Sequence, residues 1–105
     1  MASITWTPKA RNDLESACLS MERDSRPLAQ SFAARIVLAV ERLVSFPRSG
    51  RIVPEFGHSD LRELIVQNYR IVYRLRENDV DLLTIQHGAR PLRASDVPAD
   101  INQEP

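Results

Sequence analysis

Of the fourteen basic residues in this chain of 105, thirteen are arginines and one, Lys9, is a lysine. A guanidinium can grip a phosphate or carboxylate through two parallel hydrogen bonds, which an ammonium cannot do. A GC-rich coding sequence produces the same bias with no role for any one arginine. Arg70, Arg74 and Arg76 fall on one parity within Tyr69–Arg76, and Arg90 follows the last strand-like segment. Side chains that exchange protons near neutral pH are few: His58 and His87 are the only histidines and Cys18 the only cysteine. Arginine, with a pKa above about 12, neither gives nor takes protons usefully. His58, His87 and Cys18 have no metal-ligand spacing, and there is no phosphate loop, dinucleotide fingerprint or nucleophile elbow. No metal and no cofactor is therefore expected. The residue types suit binding to an anionic group better than cutting a bond.

The elements that must hold these residues are readable from period and punctuation. Ile4-Thr5-Trp6 is β-prone, and Thr7-Pro8 is a helix start, with Thr as N-cap and Pro at the first helical position. Ala10, Leu14, Ala17, Cys18 and Met21 then recur at helical spacing. Asp24-Ser25-Arg26-Pro27 ends that helix and starts a second, lined by Leu28, Phe32, Ile36, Val40 and Leu43, which must stop before Phe46-Pro47. Residues 47–60 are irregular, and then the period changes to two. Leu61–Val66, Tyr69–Arg76 and Val80–His87 read as three strands, and their short connections make neighbours antiparallel. Tyr69, Ile71, Tyr73 and Leu75 should lie under the helices. Arg70, Val72, Arg74 and Arg76 should form the opposite face, with arginines roughly 7 Å apart. The expected fold is α+β, in the order β-α-α-β-β-β: a helical hairpin packed on one face of a small antiparallel sheet.

Composition narrows the class. Fourteen acidic residues cancel the fourteen basic ones, so global charge draws this chain to neither nucleic acid nor membrane. A hydrophobic fraction of 43% and a charged fraction of 27% are those of an ordinary globular domain. Residues 1–47 carry +1, residues 48–93 carry +2, and the end from residue 94 carries −3. The organisation expected is one domain over residues 1–93 and a flexible, acidic, proline-containing tail over 94–105. No apolar run approaches a bilayer span, no leader-like start is present, and a lone cysteine suits a reducing compartment, so the expected location is cytoplasmic.

Several pieces together resemble the RelE/ParE superfamily of bacterial toxins over about residues 3–92. They are Ile4-Thr5-Trp6-Thr7-Pro8 with Ala10 and Asp13-Leu14, the loop Gly50-Arg51-Ile52-Val53-Pro54-Glu55, Leu61-Arg62-Glu63-Leu64, Tyr69-Arg70-Ile71-Val72-Tyr73-Arg74, and His87-Gly88-Ala89-Arg90. The resemblance implies the toxin half of a type II toxin–antitoxin pair. RelE-like members cleave ribosome-bound mRNA, and ParE-like members poison DNA gyrase. Arg70 and Arg90 match two basic residues of the nuclease, but Leu61-Arg62-Glu63 stands where that subtype has a lysine pair, and no tyrosine follows Tyr73. A second nuclease subtype uses a glutamate, a histidine and an arginine, for which Glu55, His87 and Arg70 are the matches; its terminal His-Tyr is absent and the Glu55–Arg70 spacing is short. The ending His-Gly-Ala-Arg-Pro-Leu is closer to ParE.

The resemblance thus implies a non-enzymatic gyrase inhibitor with Arg70, Arg74, His87 and Arg90 as target contacts. Its partners are a ParD-like antitoxin, gyrase, and operator DNA reached only through the antitoxin, with no membrane. The alternatives are a RelE-like endoribonuclease built on Glu55, Arg70, His87 and Arg90, and a non-toxic member that only binds antitoxin. Each residue also has a plainer role. Arg70 can pair with Glu63 on the neighbouring strand, Arg74 and Arg76 with Glu77 and Asp81, His87 can be structural, and His58 simply exposed. Arg90 lies beyond the last strand, where no core requires it, and binding is the favoured role there.

Overall fold

A computed structural model describes residues 1–102 of the chain. In order, it contains β1 (Ile4–Trp6), α1 (Pro8–Glu22), α2 (Arg26–Ser45), β2 (Arg51–Ile52), β3 (Leu61–Val66), β4 (Tyr69–Arg76), β5 (Asp79–His87), a 3₁₀ turn (Ala94–Asp96) and α3 (Ala99–Asn102). Both long helices begin as their sequences dictate. Thr7 accepts a hydrogen bond from the Ala10 amide and Ser25 one from the Leu28 amide, each at 3.2 Å, with a proline in the first turn.

The strands form one sheet in the order β1-β5-β4-β3-β2. The α+β architecture and the helical hairpin are those expected, but the sheet is mixed rather than antiparallel throughout. β1 lies parallel to β5, pairing Ile4 with Val80 and Trp6 with Leu82. Short turns dictate direction only for β3, β4 and β5; β1 meets β5 after the whole helical hairpin, so no turn constrains it. The strand β2, two residues long, was not expected and pairs Arg51 with Glu63 on β3.

The predicted alternation of β4 is present. Ile71, Tyr73 and Leu75 join Phe32, Ile36, Val40 and Leu43 of α2 in the main core. The opposite face, however, is not an open display of arginines. Val53, Leu61, Val72, Leu83, Leu92, Val97 and Ile101 form a second core there, with Phe56 packed against it. Residues 94–102, expected as a loose tail, supply the 3₁₀ turn and α3 that cover this face, and residues 103–105 of that expectation lie outside the described residues. The ladder between β4 and β5 shifts register at Val72/Tyr73, where Val72 pairs with Thr84 and Tyr73 with Leu82. The extra residue, Leu83, turns into the second core, and Ile85 returns to the first. No helix among the described residues is long and apolar enough to cross a membrane.

Candidate functional site

The second face carries a four-member charge ladder. Arg70 on β4 is only 4% exposed, and Glu63 on β3 is 1% exposed. Arg70 Nε donates to Glu63 Oε1 at 2.7 Å, while Nη1 and Nη2 grip the two oxygens of Glu55 at 2.6 and 2.9 Å. Arg51 on β2 closes the ladder, its Nε 2.5 Å from Glu63 Oε2. Glu55 also accepts the Leu92 amide at 2.9 Å, which ties the loop after β2 to the chain leaving β5. The Arg70 hydrogen bonds, helped by the Leu92 amide and opposed by partial burial, hold the Glu55 carboxyl down at about 2. The expected pairing of Arg70 with Glu63 is therefore present, with Glu55 as a second partner. Arg70 keeps no donor edge turned toward solvent.

Arg74, on the same face, pairs with Asp100 of α3, and Arg76 pairs with Asp81, Nε to Oδ2 at 2.8 Å. Of the partners expected for these two, Asp81 is found and Glu77 is replaced by an aspartate from the segment read as tail. Arg70, Arg74 and Arg76 thus each meet a carboxylate within their own chain.

His87 and Arg90 occupy a different place. Tyr69 packs its ring on Phe32 of α2, with centroids 4.8 Å apart, and His87 meets the edge of Tyr69 at 5.5 Å. His87 therefore sits on the helix side of the sheet, whereas Arg70 and Glu55 lie on the other side. The Ala89 amide donates to His87 Nδ1 at 3.2 Å, so the neutral ring carries its proton on Nε2. Arg90 is exposed, and its guanidinium acts electrostatically on Asp96. Both line a groove of about 290 Å³ between α1 and the end of β5, with Asp13, Ser16, Ser20 and Tyr69. His58 is on the loop before β3, where its Nδ1 accepts the Asp60 amide at 3.1 Å.

A polar cluster that the sequence reading missed borders this groove. Asp13 Oδ2 accepts the Thr84 hydroxyl at 2.5 Å, the Ile85 amide at 3.1 Å and Lys9 Nζ at 3.2 Å. It thereby caps the edge of β5 just where β1 has ended. Gln86 Nε2 donates to Thr84 Oγ1 at 3.1 Å, and the same amide bonds the buried Asp96 carboxylate. Both neighbours are acceptors, which fixes the orientation of the amide and leaves Gln86 Oε1 buried without a partner. Such a group costs about 1–3 kcal/mol. Asp13 and Thr84 sit 71 residues apart, beyond the reach of any spacing argument.

Comparison with known proteins settles the family. The profile of the ParE toxin of the type II toxin–antitoxin system parDE matches residues 4–92. The chain belongs to the ParE toxin family. Toxin RelE2 of Caulobacter vibrioides is 33% identical over 91 residues, covering 86% of this chain and 99% of that protein. Y4kP of Sinorhizobium fredii, itself a proposed toxin, is 35% identical over 86 residues, covering 80% of this chain and 85% of that protein. Among solved structures, a chain of the chromosomal ParDE system of P. aeruginosa superposes with a TM-score of 0.67 at 26% identity, covering 83% of this chain and 96% of that one. This ParE-family chain is thus a toxin of a type II toxin–antitoxin system, and membership implies a cognate antitoxin as its partner.

Proposed function

We propose that this toxin acts as a ParE-like inhibitor of DNA gyrase that works by binding, with His87 and Arg90 at the contact surface and Arg70 and Arg74 supporting it from behind through their ion pairs. The observation that carries this reading is the separation of the groups a nuclease needs. Arg70 and Glu55 lock each other on one face of the sheet, and His87 stands on the other. RNA cleavage requires a base for the 2′-hydroxyl, charge stabilisation at the phosphate and an acid for the leaving oxygen, all within hydrogen-bond reach of one phosphate. Glu55, held at about 2, is a poor proton acceptor at neutral pH, and Arg70 is buried with each of its three nitrogens already on a carboxylate. The sheet face on which Arg70 lies is, moreover, covered by Leu92, Val97 and Ile101.

The resemblance to the ParDE chain supports the same target, and a ParD-like antitoxin is the partner this implies. RNA cleavage is the second reading, favoured by the name of the Caulobacter relative, RelE2. Induced expression separates the two. Filamentation with an SOS response is expected, whereas an abrupt stop in protein synthesis with cleaved messages would reverse the assignment. His87→Ala and Arg90→Ala should each abolish growth arrest; unchanged killing by both variants would remove these residues from the contact surface.

A further inference from the structure

At the other end of β5 from His87 lies a second concavity. It has a volume of about 630 Å³ and is lined by Arg42 and Phe46 at the end of α2, by Pro47, Arg48 and Ser49 of the loop that follows, and by Asn78 in the turn before β5. Small-molecule sites span about 300–1,000 Å³. Asn78 precedes β5 and His87 ends it, so roughly 25–30 Å of strand separates this place from the surface proposed for the target. The loop is held from behind. The buried Tyr73 hydroxyl accepts the Gly50 amide and donates to Pro47 O. Arg62 Nη1 donates to Arg48 O at 3.3 Å and to Gly50 O at 3.1 Å, and the Ser49 amide donates to Phe46 O at 3.1 Å. The carbonyls that would repel an anion are thus already taken. Arg51, Arg70, Arg74 and Arg76 each meet a carboxylate, whereas Arg42 and Arg48 form no ion pair among the described residues. No carboxylate lines the pocket. Arg42 also answers the negative end of α2, but Arg48 has no such role. Phe46 is 62% exposed and belongs to neither core, although its backbone is fixed.

We propose that this pocket binds a nucleoside phosphate, with the base stacked on the Phe46 ring and the phosphate held by Arg48 and Arg42. The Asn78 side chain, which both donates and accepts, is placed to meet a base edge. Stacking on an aromatic ring beside guanidiniums is how unpaired nucleotides are held. Duplex DNA fits less well, because its bases are stacked inside the helix and present no face to Phe46. An apolar helix fits less well too, since Phe46 and Pro47 are the whole of the apolar lining. A free nucleotide and an unpaired stretch of nucleic acid offer the same chemistry. The inference does not rest on gyrase as the target.

The test titrates the free toxin with ADP, adenosine, inorganic pyrophosphate and a short single-stranded DNA, followed by amide resonances. ADP should bind with a Kd below about 1 mM and shift the amides of Ser49 and Asn78. Adenosine lacks the phosphates and pyrophosphate lacks the base, and each should bind about tenfold more weakly than ADP. Phe46→Leu and Arg48→Gln should each weaken ADP by about tenfold, and Arg23→Gln, beside the opposite end of α2, should leave it unchanged. Tighter binding of the DNA than of ADP makes an unpaired strand the source, and weaker binding makes it a free nucleotide; both uphold the site. Thermal melting checks each variant. If one melts early, the resonance shifts and the comparison of ADP with pyrophosphate on the unaltered chain decide the matter. Absence of binding by both ADP and the DNA overturns the proposal. So does pyrophosphate binding as tightly as ADP, which marks a site for anions only, and so does ADP affinity unchanged by Phe46→Leu and Arg48→Gln. Gyrase is absent from these measurements, so their failure leaves the target assignment standing.

Discussion

Glu63 lies in the sheet with almost no exposure and is paired with two guanidiniums, Arg70 and Arg51. Removing Arg70 leaves a buried carboxylate with a single, exposed partner. Arg70→Met should cost about 3–5 kcal/mol of stability in urea denaturation, the range found when one member of a buried pair is lost. Glu55 sets a pH dependence. Its folded value, about 2, lies below its unfolded one, so the unfolded chain binds the proton more readily. The stability it contributes is complete above the ordinary carboxylate range, near 4.3, and is lost as pH falls toward about 2. Glu55→Gln should be less stable at pH 7 and should flatten the fall in denaturation midpoint over that acid window. Glu63 could be read as the partner of Arg70 because neighbouring strands bring the two within reach. Glu55 could not, since an irregular loop of fourteen residues gives no register; the nuclease alternative gives it proton transfer instead. Arg90 is legible as a binding candidate because it falls after the last strand, and His87 because it ends that strand; the groove they share with α1 is not, since Asp13, Ser16 and Ser20 look like an ordinary solvated helix flank.

At the level of elements, the turn into β2 depends on a close approach. The Gly50 amide donates to the Tyr73 hydroxyl at 2.9 Å, and that hydroxyl donates to Pro47 O at 2.8 Å. A Cβ on Gly50 would lie 2.6 Å from both Glu63 O and the Tyr73 hydroxyl. Gly50→Ala should therefore cost about 1–3 kcal/mol through displaced backbone, measurable as a lower melting temperature. The helices, their caps and the three long strands followed from local chemistry, because each is specified by residues within a few positions of one another. The pairing of β1 with β5, the extra residue at Leu83 and the strand β2 depend on long-range closure and left no local sign. One signal for the second core was present: Leu61 and Val72 are apolar residues on a face otherwise assigned to arginines, and an apolar patch there calls for a cover.

At the scale of the whole molecule, that cover is the chain's own C-terminal segment. The family profile ends at residue 92, yet Val97 and Ile101 beyond it are buried against the sheet, and Asp100 pairs with Arg74. Deleting residues 94–105 should remove about 3–5 kcal/mol, the burial of two aliphatic side chains, and should raise binding of a hydrophobic dye. Unaltered melting of the truncated chain would mean that the second face needs no cover. With both faces packed, what the toxin offers a partner is its edges and the groove at the end of β5, a surface for holding a macromolecule and a poor one for cutting it. The measurement that bears on this most directly sets purified toxin against gyrase supercoiling and against ribosome-bound mRNA in parallel. Loss of supercoiling with intact message is the expected result. Cleaved message with supercoiling untouched would contradict it.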